Sequence, residues 1–384
     1  MADNKPPLWF IYTVTLAGIL GNTMLTPNIP DVLSDFGQPQ SRAGLLVAAG
    51  PLPGIVIAPI IGLMADRFGR RRVLLPCLWL FGIMGLAGAF APTFELLLLA
   101  RFLQGFGSAG LINLAVVIIG DHWSGNERTR LVGRNASVLT AGLVLAPSLS
   151  GAIAELTNWR WSLAVASVGI MVGFLGIQVL PVHRPGASIT VREQLRATAR
   201  VIREPAILTT LGTGFLLFVV IFGVFLTVFP VHLEKEFGLG PGARGLVLST
   251  PALGSTLVAF NLGRIRNRYS LRTVLVTSSV LISAAAIAIG LAPTLALLVV
   301  AAVMYGLGDG MGIPSLQDLA TSVSGPEQRG AVMAAWVSAV RLGQTLGALA
   351  AAPLFTATST GTAMVLGGVL FAVVALVFTR APLA

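Results

Sequence analysis

The sequence predicts an all-α integral membrane protein with twelve transmembrane helices in two pseudo-symmetric six-helix bundles. Three observations carry this prediction. Of 384 residues, 55% are hydrophobic and only 10% charged, with a mean hydropathy of +0.86, against about 25% charged in an ordinary globular domain. Apolar runs follow one another along the whole chain, each close to the roughly 20 residues that cross a hydrocarbon core as a helix. Residues in the two halves match at one constant offset.

The runs lie at 9–33, 43–65, 73–91, 96–119, 131–154, 161–181, 206–231, 243–263, 273–292, 295–317, 330–354 and 361–380. The first extends from Trp9 to Val32 with no small-residue cleavage pattern, so it reads as a retained helix and not a signal peptide. Most connections are too short for an extramembrane domain, and the Gly and Pro residues within spans suit close helix contacts and bends. The exception is His183 to Pro205, which carries Arg184, Arg192, Arg196, Arg200 and Arg203 and reads as a basic, partly helical linker. The expected organisation is a bundle over 1–181, a cytoplasmic linker over 182–205 and a second bundle over 206–384.

The net charge of +10 would suggest nucleic acid in a soluble chain. Here the cations fall in short loops. With both termini placed inside, nineteen of them, including Arg67, Arg70, Arg71, Arg72, Arg128, Arg264 and Arg268, lie on the inner side; Arg42, Arg160, Lys235 and Arg244 lie outside. This asymmetry orients the chain in a cytoplasmic membrane with both termini cytoplasmic. The loops lack the contiguous groove and stacking aromatics of nucleic-acid binding. Cys77 alone provides no disulfide or thiolate cluster. His122, His183 and His232 are spread over loop positions without a nucleophile or metal-ligand spacing, so an enzyme lacks support. No phosphate-binding loop is present.

The repeat appears when the chain is shifted by 201 positions. Gly62 falls on Gly263, Asp66 on Asn267, Arg67 on Arg268, Phe68 on Tyr269, Arg71 on Arg272 and Val73 on Val274. The same shift sets Gly105 on Gly306, Gly107 on Gly308, Ser137 on Ser338 and Gly142 on Gly343. Two six-helix halves of parallel topology follow, an internal symmetry common among secondary transporters.

The loop Gly62-Leu63-Met64-Ala65-Asp66-Arg67-Phe68-Gly69-Arg70-Arg71-Arg72 resembles the signature between the second and third helices of the major facilitator superfamily. The resemblance extends over the whole chain. Arg101-Phe102-Leu103-Gln104-Gly105-Phe106-Gly107 resembles the family's second motif, with Arg101 as its intramembrane arginine. Gly142 to Gly151, with Pro147 between, resembles the proline-containing motif of twelve-helix drug:proton antiporters. It departs from that motif at Ala146 and Ser150, where glycine is usual.

The resemblance implies two bundles around a cavity lined by spans one, four, seven and ten, rocking to expose it to either side. A small-molecule substrate then crosses unchanged, with the bilayer as surroundings, a proton gradient as energy source, no cofactor, and a monomer as the functional unit. In the first motif Gly62, Asp66, Arg67, Gly69, Arg70 and Arg71 are the gating candidates. Asp66 can cap a neighbouring helix or pair with Arg70 or Arg71 across the bundle interface. The plainer alternative is that Arg70 and Arg72 only anchor the inner surface.

Ionisable groups at bilayer depth are costly and mark function by default. Asp309 in span ten and Arg341 in span eleven lie at similar depth, about 13 Å from the inner end for Asp309 at 1.5 Å per residue. A salt bridge between them is expected, either breaking to take up a proton or permanently joining the two spans. Arg101 and Asp31 are at compatible depths for a pair in the first half. Glu155 is expected at the surface. Asn22, Thr23, Thr26, Gln104 and Asn113 are cavity candidates because lipid-facing amides are costly. Phe215, Phe218, Phe222, Phe225 and Phe229 recur every three or four residues, an aromatic stripe that either binds flat hydrophobic molecules or belongs to the core. Tyr305 and Met304 would complete such a site.

Paucity of charge, the stripe and the proline motif point to proton-coupled export of small amphipathic or hydrophobic compounds. Two intramembrane arginines against one deep aspartate point instead to small organic anions or metabolites. A lipid-handling or receptor protein of the same fold is the third alternative.

Overall fold

A computed structural model describes residues 5–181, 191–322 and 329–380. Ten helices among them are long and apolar enough to cross a membrane. Span one is Leu8–Asp35, span three Arg70–Ala89, span four Phe94–His122, span five Gly125–Leu156 and span six Trp159–Val179. Span seven is Ile207–Phe237, span eight Pro241–Arg268, span nine Leu271–Leu291, span ten Leu295–Ala320 and span eleven Gly330–Ala357.

Two spans remain. Span two is divided into Ala43–Ala48 and Gly54–Phe68, because Pro51 and Pro53 in between lack the N–H that an unbroken helix needs. Span twelve is Thr360–Arg380. The twelve expected runs are therefore all helical. Spans five and eight begin or end beyond the expected apolar limits, at Gly125 and Arg268, since helix continues into the polar loops. The linker supplies one helix, Val191–Val201; residues 182–190, including His183 and Arg184, lie outside the described residues.

Span seven is not a uniform α-helix. Over Ile221–Val228 it widens to π geometry, and Thr227 Oγ1 donates to the Phe222 carbonyl at 2.7 Å. The wider turn rotates the later phenylalanines relative to the earlier ones, so a stripe at α-helical spacing does not persist along the span. Phe222, Phe225 and Phe229 are buried, whereas Phe218 is partly exposed.

The repeat is reproduced as packing. Gly105 of span four leaves no room for a Cβ against the Gly50 carbonyl of span two, and Gly306 of span ten is in the same relation to Pro251 of span eight. Gly107 lies on the backbone of Cys77 and Phe81, and Gly308 on that of Ser278 and Ile282. Each partner is displaced by the same 201 residues, so the constant offset in sequence is a duplicated pair of helix crossings.

Candidate functional site

The two halves meet at two crossings near the arginine-poor end. Span two crosses span eleven where Gly44 rests on the Ala348 carbonyl; span eight crosses span five where Gly245 rests on the Pro147 carbonyl. Gly44 and Gly245 are 201 residues apart, as are Pro147 and Ala348, so one crossing is the symmetry copy of the other. Gly151 extends the second crossing by resting on the Pro241 carbonyl. The proline motif therefore forms part of the seam between the halves, with Pro147 and Gly151 in contact with span eight. Gly142, a turn and a half earlier, packs on Leu16 and Ile19 of span one.

Polar contacts reinforce this seam. Ser148 Oγ and Ser249 Oγ share a hydrogen bond of 2.7 Å, and Ser338 Oγ donates to the Ile55 carbonyl at 2.8 Å. Glu155, exposed as expected, accepts from the Gly242 N–H at 3.1 Å across the seam. Asp31 pairs with Arg244 of span eight and not with Arg101. Arg244 was expected only as an outer-surface cation; its side chain is 1% exposed. Sequence depth alone placed Asp31 near Arg101, but the guanidinium of Arg101 points into the first bundle while span eight brings Arg244 onto the end of span one.

At the arginine-rich end the first motif acts within its own half. Gly69 has φ +93°, a conformation that side chains disfavour, and it turns span two into span three. Arg70 pairs with Asp66 and also with Asp121 at the end of span four, at 2.9 Å. The expected pairing of Asp66 across the bundle interface is thus replaced by a clamp inside the first half. Arg71 donates to the Leu180 carbonyl at 3.2 Å. Arg67 is exposed and lies over the Phe68 ring. The second half has a comparable clamp, Arg266 on Asp318, built from residues that the 201 shift does not relate to Arg70 and Asp121. A Cβ added to Gly62, Gly133, Gly263 or Gly330 would meet open space, whereas the seam glycines admit none. The glycine crossings thus join the halves at the arginine-poor end, and these open-faced glycines lie toward the arginine-rich one.

Between the ends, each half carries its own polar cluster. Arg101, 3% exposed, donates through Nη1 to Gln104 Oε1 and through Nη2 to Asn22 Oδ1, the latter at 2.6 Å. Gln104 in turn donates to the Phe81 carbonyl at 3.3 Å. Asn22 and Gln104 therefore hold the arginine. Thr23 donates to the Ile19 carbonyl and Thr26 to the Asn22 carbonyl within span one. Asn113 is exposed on span four.

In the second half Asp309 and Arg341 are not paired. Asp309 Oδ1 is buried and makes no hydrogen bond among the described residues. Arg341 lies against Gly54 of span two and reaches Gln344 Oε1 at 3.5 Å. Equal depth does not fix azimuth: Arg341 faces the seam with the first half, while Asp309 is one turn below Tyr305 on span ten. Tyr305 is stacked on Phe225 of span seven with ring centroids 3.4 Å apart and planes at 24°. Phe218 and Phe222 are tilted at 6.4 Å. His232 is also misplaced by the sequence reading; it is buried at the end of span seven, its Nδ1 2.9 Å from Thr360 Oγ1. Among the described residues no group of His, Cys, Asp or Glu is arranged to hold a metal ion.

A polytopic bundle of duplicated halves, closed at one end and with buried polar clusters between its ends, defines a membrane transporter. The Major Facilitator Superfamily model matches residues 11–243 and 214–383, and the chain belongs to that family. The bacillibactin exporter of Bacillus subtilis is 27% identical over 350 residues, covering 87% of this chain and 86% of the exporter. The quinolone resistance protein NorA of Staphylococcus aureus is 28% identical over 221 residues, covering 57% of this chain and 52% of NorA. Among solved structures, a bacterial homolog of the human lysosomal transporter Spinster, inward-facing and occupied, aligns with a TM-score of 0.77 and 18% identity, over 97% of this chain and 95% of that one.

Proposed function

We propose that the protein exports small amphipathic or hydrophobic compounds across a cytoplasmic membrane in exchange for protons, by alternating access. The arginine-rich end is the cytoplasmic one by the positive-inside rule, so the seam of glycine crossings faces outward and alternating access exposes the site to the cytoplasm on the other side. Substrate enters from that side. The carrying observation is the juxtaposition of Asp309, whose buried Oδ1 no group among the described residues satisfies, with Tyr305 one turn away on span ten and with Phe225 of span seven stacked on that ring. Aromatic faces supply area for an apolar or amphipathic guest, and a carboxyl in that position can exchange a proton as the seam opens and closes. The similar bacillibactin exporter and NorA are an exporter and a resistance protein by name, which supports outward transport.

A second reading, transport of small organic anions, draws on Arg341, whose guanidinium has no carboxylate partner among the described residues. Flux into proteoliposomes with and without an imposed pH gradient distinguishes the two. For the proton-coupled reading, Asp309→Asn loses gradient-driven flux and retains substrate exchange. Undiminished gradient-driven flux in that variant excludes the coupling role of Asp309.

A further inference from the structure

Among the described residues two arginines, Arg101 and Arg244, are almost wholly buried, and they are neutralised differently. Arg244 has the carboxylate of Asp31. Arg101 has only two neutral amide oxygens, those of Asn22 and Gln104, and no ion pair among the described residues. Its Nε–H is buried and makes no hydrogen bond among the described residues. Guanidinium remains charged in proteins, and a buried charge without a counter-charge is strongly destabilising. The symmetry-related position in the second half is Ala302, and Tyr305 stands where the first half has Gln104, so the repeat does not duplicate this arginine and its amide partners.

Beside the guanidinium is a small cavity lined by Arg101, Gln104, Gly21, Gly88, Met24 and Leu163, among others. It is of a size that holds one water-sized guest. Gly21 and Gly88 keep it open, for a Cβ on either would meet only ordinary contacts, 3.5 Å from Phe81 at Gly21 and 3.4 Å from Leu97 at Gly88. Gly50 lets the Arg101 and Asn22 pair lie flat against span two, because a Cβ there would come within 3.1 Å of both side chains.

We propose that this cavity is a binding site for a small monovalent anion of the halide class, chloride in the cell, held by Arg101 as a resident counter-ion of the first bundle. The charge requires an anion. Size excludes substrates and polyatomic anions such as gluconate or sulfate, and a divalent anion would also resist dehydration. The guanidinium hydrogens that Gln104 and Asn22 do not take supply the donors. The site is separate from the Asp309 and Tyr305 region and does not depend on proton coupling.

The test is thermal unfolding of the purified full-length protein at constant ionic strength, with sodium gluconate replaced stepwise by sodium chloride or bromide. A saturable rise in Tm with either halide is expected, as for any ligand that binds only the folded state. The rise is lost in Arg101→Gln and retained in Arg128→Gln, an exposed cation. Gly21→Ala and Gly88→Ala keep the arginine and shrink the cavity; they shift the halide midpoint to higher concentration, which keeps the test decisive if Arg101→Gln does not fold. Crystals soaked in bromide give an anomalous peak beside the Arg101 guanidinium. An equal Tm in gluconate and chloride, the same halide response in the cavity variants, or a water in place of bromide overturns the proposal.

Discussion

Arg244 of span eight is buried against Asp31 at the end of span one, and the pair joins the two halves at the arginine-poor end. Two glycine crossings flank it, Gly44 on Ala348 and Gly245 on Pro147. This end of the molecule is thus closed by close backbone approach together with one ion pair. The first resists any added atom; the second can be broken by a single substitution.

Asp31→Asn leaves the Arg244 charge buried without its anion. A fully buried pair loses about 3–5 kcal/mol when one partner is removed; since the Asp31 side chain is 36% exposed, about 1–2 kcal/mol is expected here after solvent screening. That shifts the closed-to-open ratio of the outer end roughly 5- to 30-fold. Labelling of a cysteine introduced at Ser148 by a membrane-impermeant thiol reagent, in a Cys77→Ser background, should accelerate accordingly. Unchanged labelling would mean that the pair does not hold the seam.

Gly44→Ala and Gly245→Ala should impair closure equally, because each places a Cβ on a carbonyl of the opposite half. Overpacking of this kind costs about 1–3 kcal/mol. Both variants should insert into the membrane and lose most transport. Substituting Gly62, where the added atom meets open space, should leave stability within about 0.5 kcal/mol of the parent.

Tyr305→Ala and Phe225→Ala each remove one ring of the stacked pair. If that pair contacts substrate, KM rises about 2- to 13-fold for aromatic compounds, from roughly 0.5–1.5 kcal/mol of ring interaction, while aliphatic substrates are less affected. An equal loss for both classes would mark the pair as structural.

Arg70→Ala removes two ion pairs at once and Asp66→Asn only one, since Arg70 keeps Asp121. In the present conformation Arg70→Ala should therefore lower Tm more, although exposed pairs contribute only about 0.2–1 kcal/mol each. A gating role for Asp66 in the opposite conformation would appear as lost transport in Asp66→Asn with nearly unchanged Tm.

Arg101→Ala should reduce transport without preventing insertion, because the arginine organises Asn22 and Gln104 between spans one and four. Surface expression and flux measured side by side check this. Parental flux would make the cluster dispensable.

Much of the architecture was written in the chain. Apolar runs long enough to span a bilayer, arginines confined to one set of loops, and a repeat at one offset determined the helices and their symmetry, since lipid forces each span to satisfy its own backbone hydrogen bonds. The same repeat held an unread signal: Gly44 with Gly245, and Pro147 with Ala348, mark the seam at the very offset already visible elsewhere. What the sequence could not supply was azimuth and partner. Depth along a helix follows from residue number, but which neighbour a side chain faces depends on how twelve helices pack. That packing sent Asp31 to Arg244 and Arg341 to Gly54, left Asp309 Oδ1 without a partner among the described residues, and gave Arg101 two amides and a cavity in place of a carboxylate.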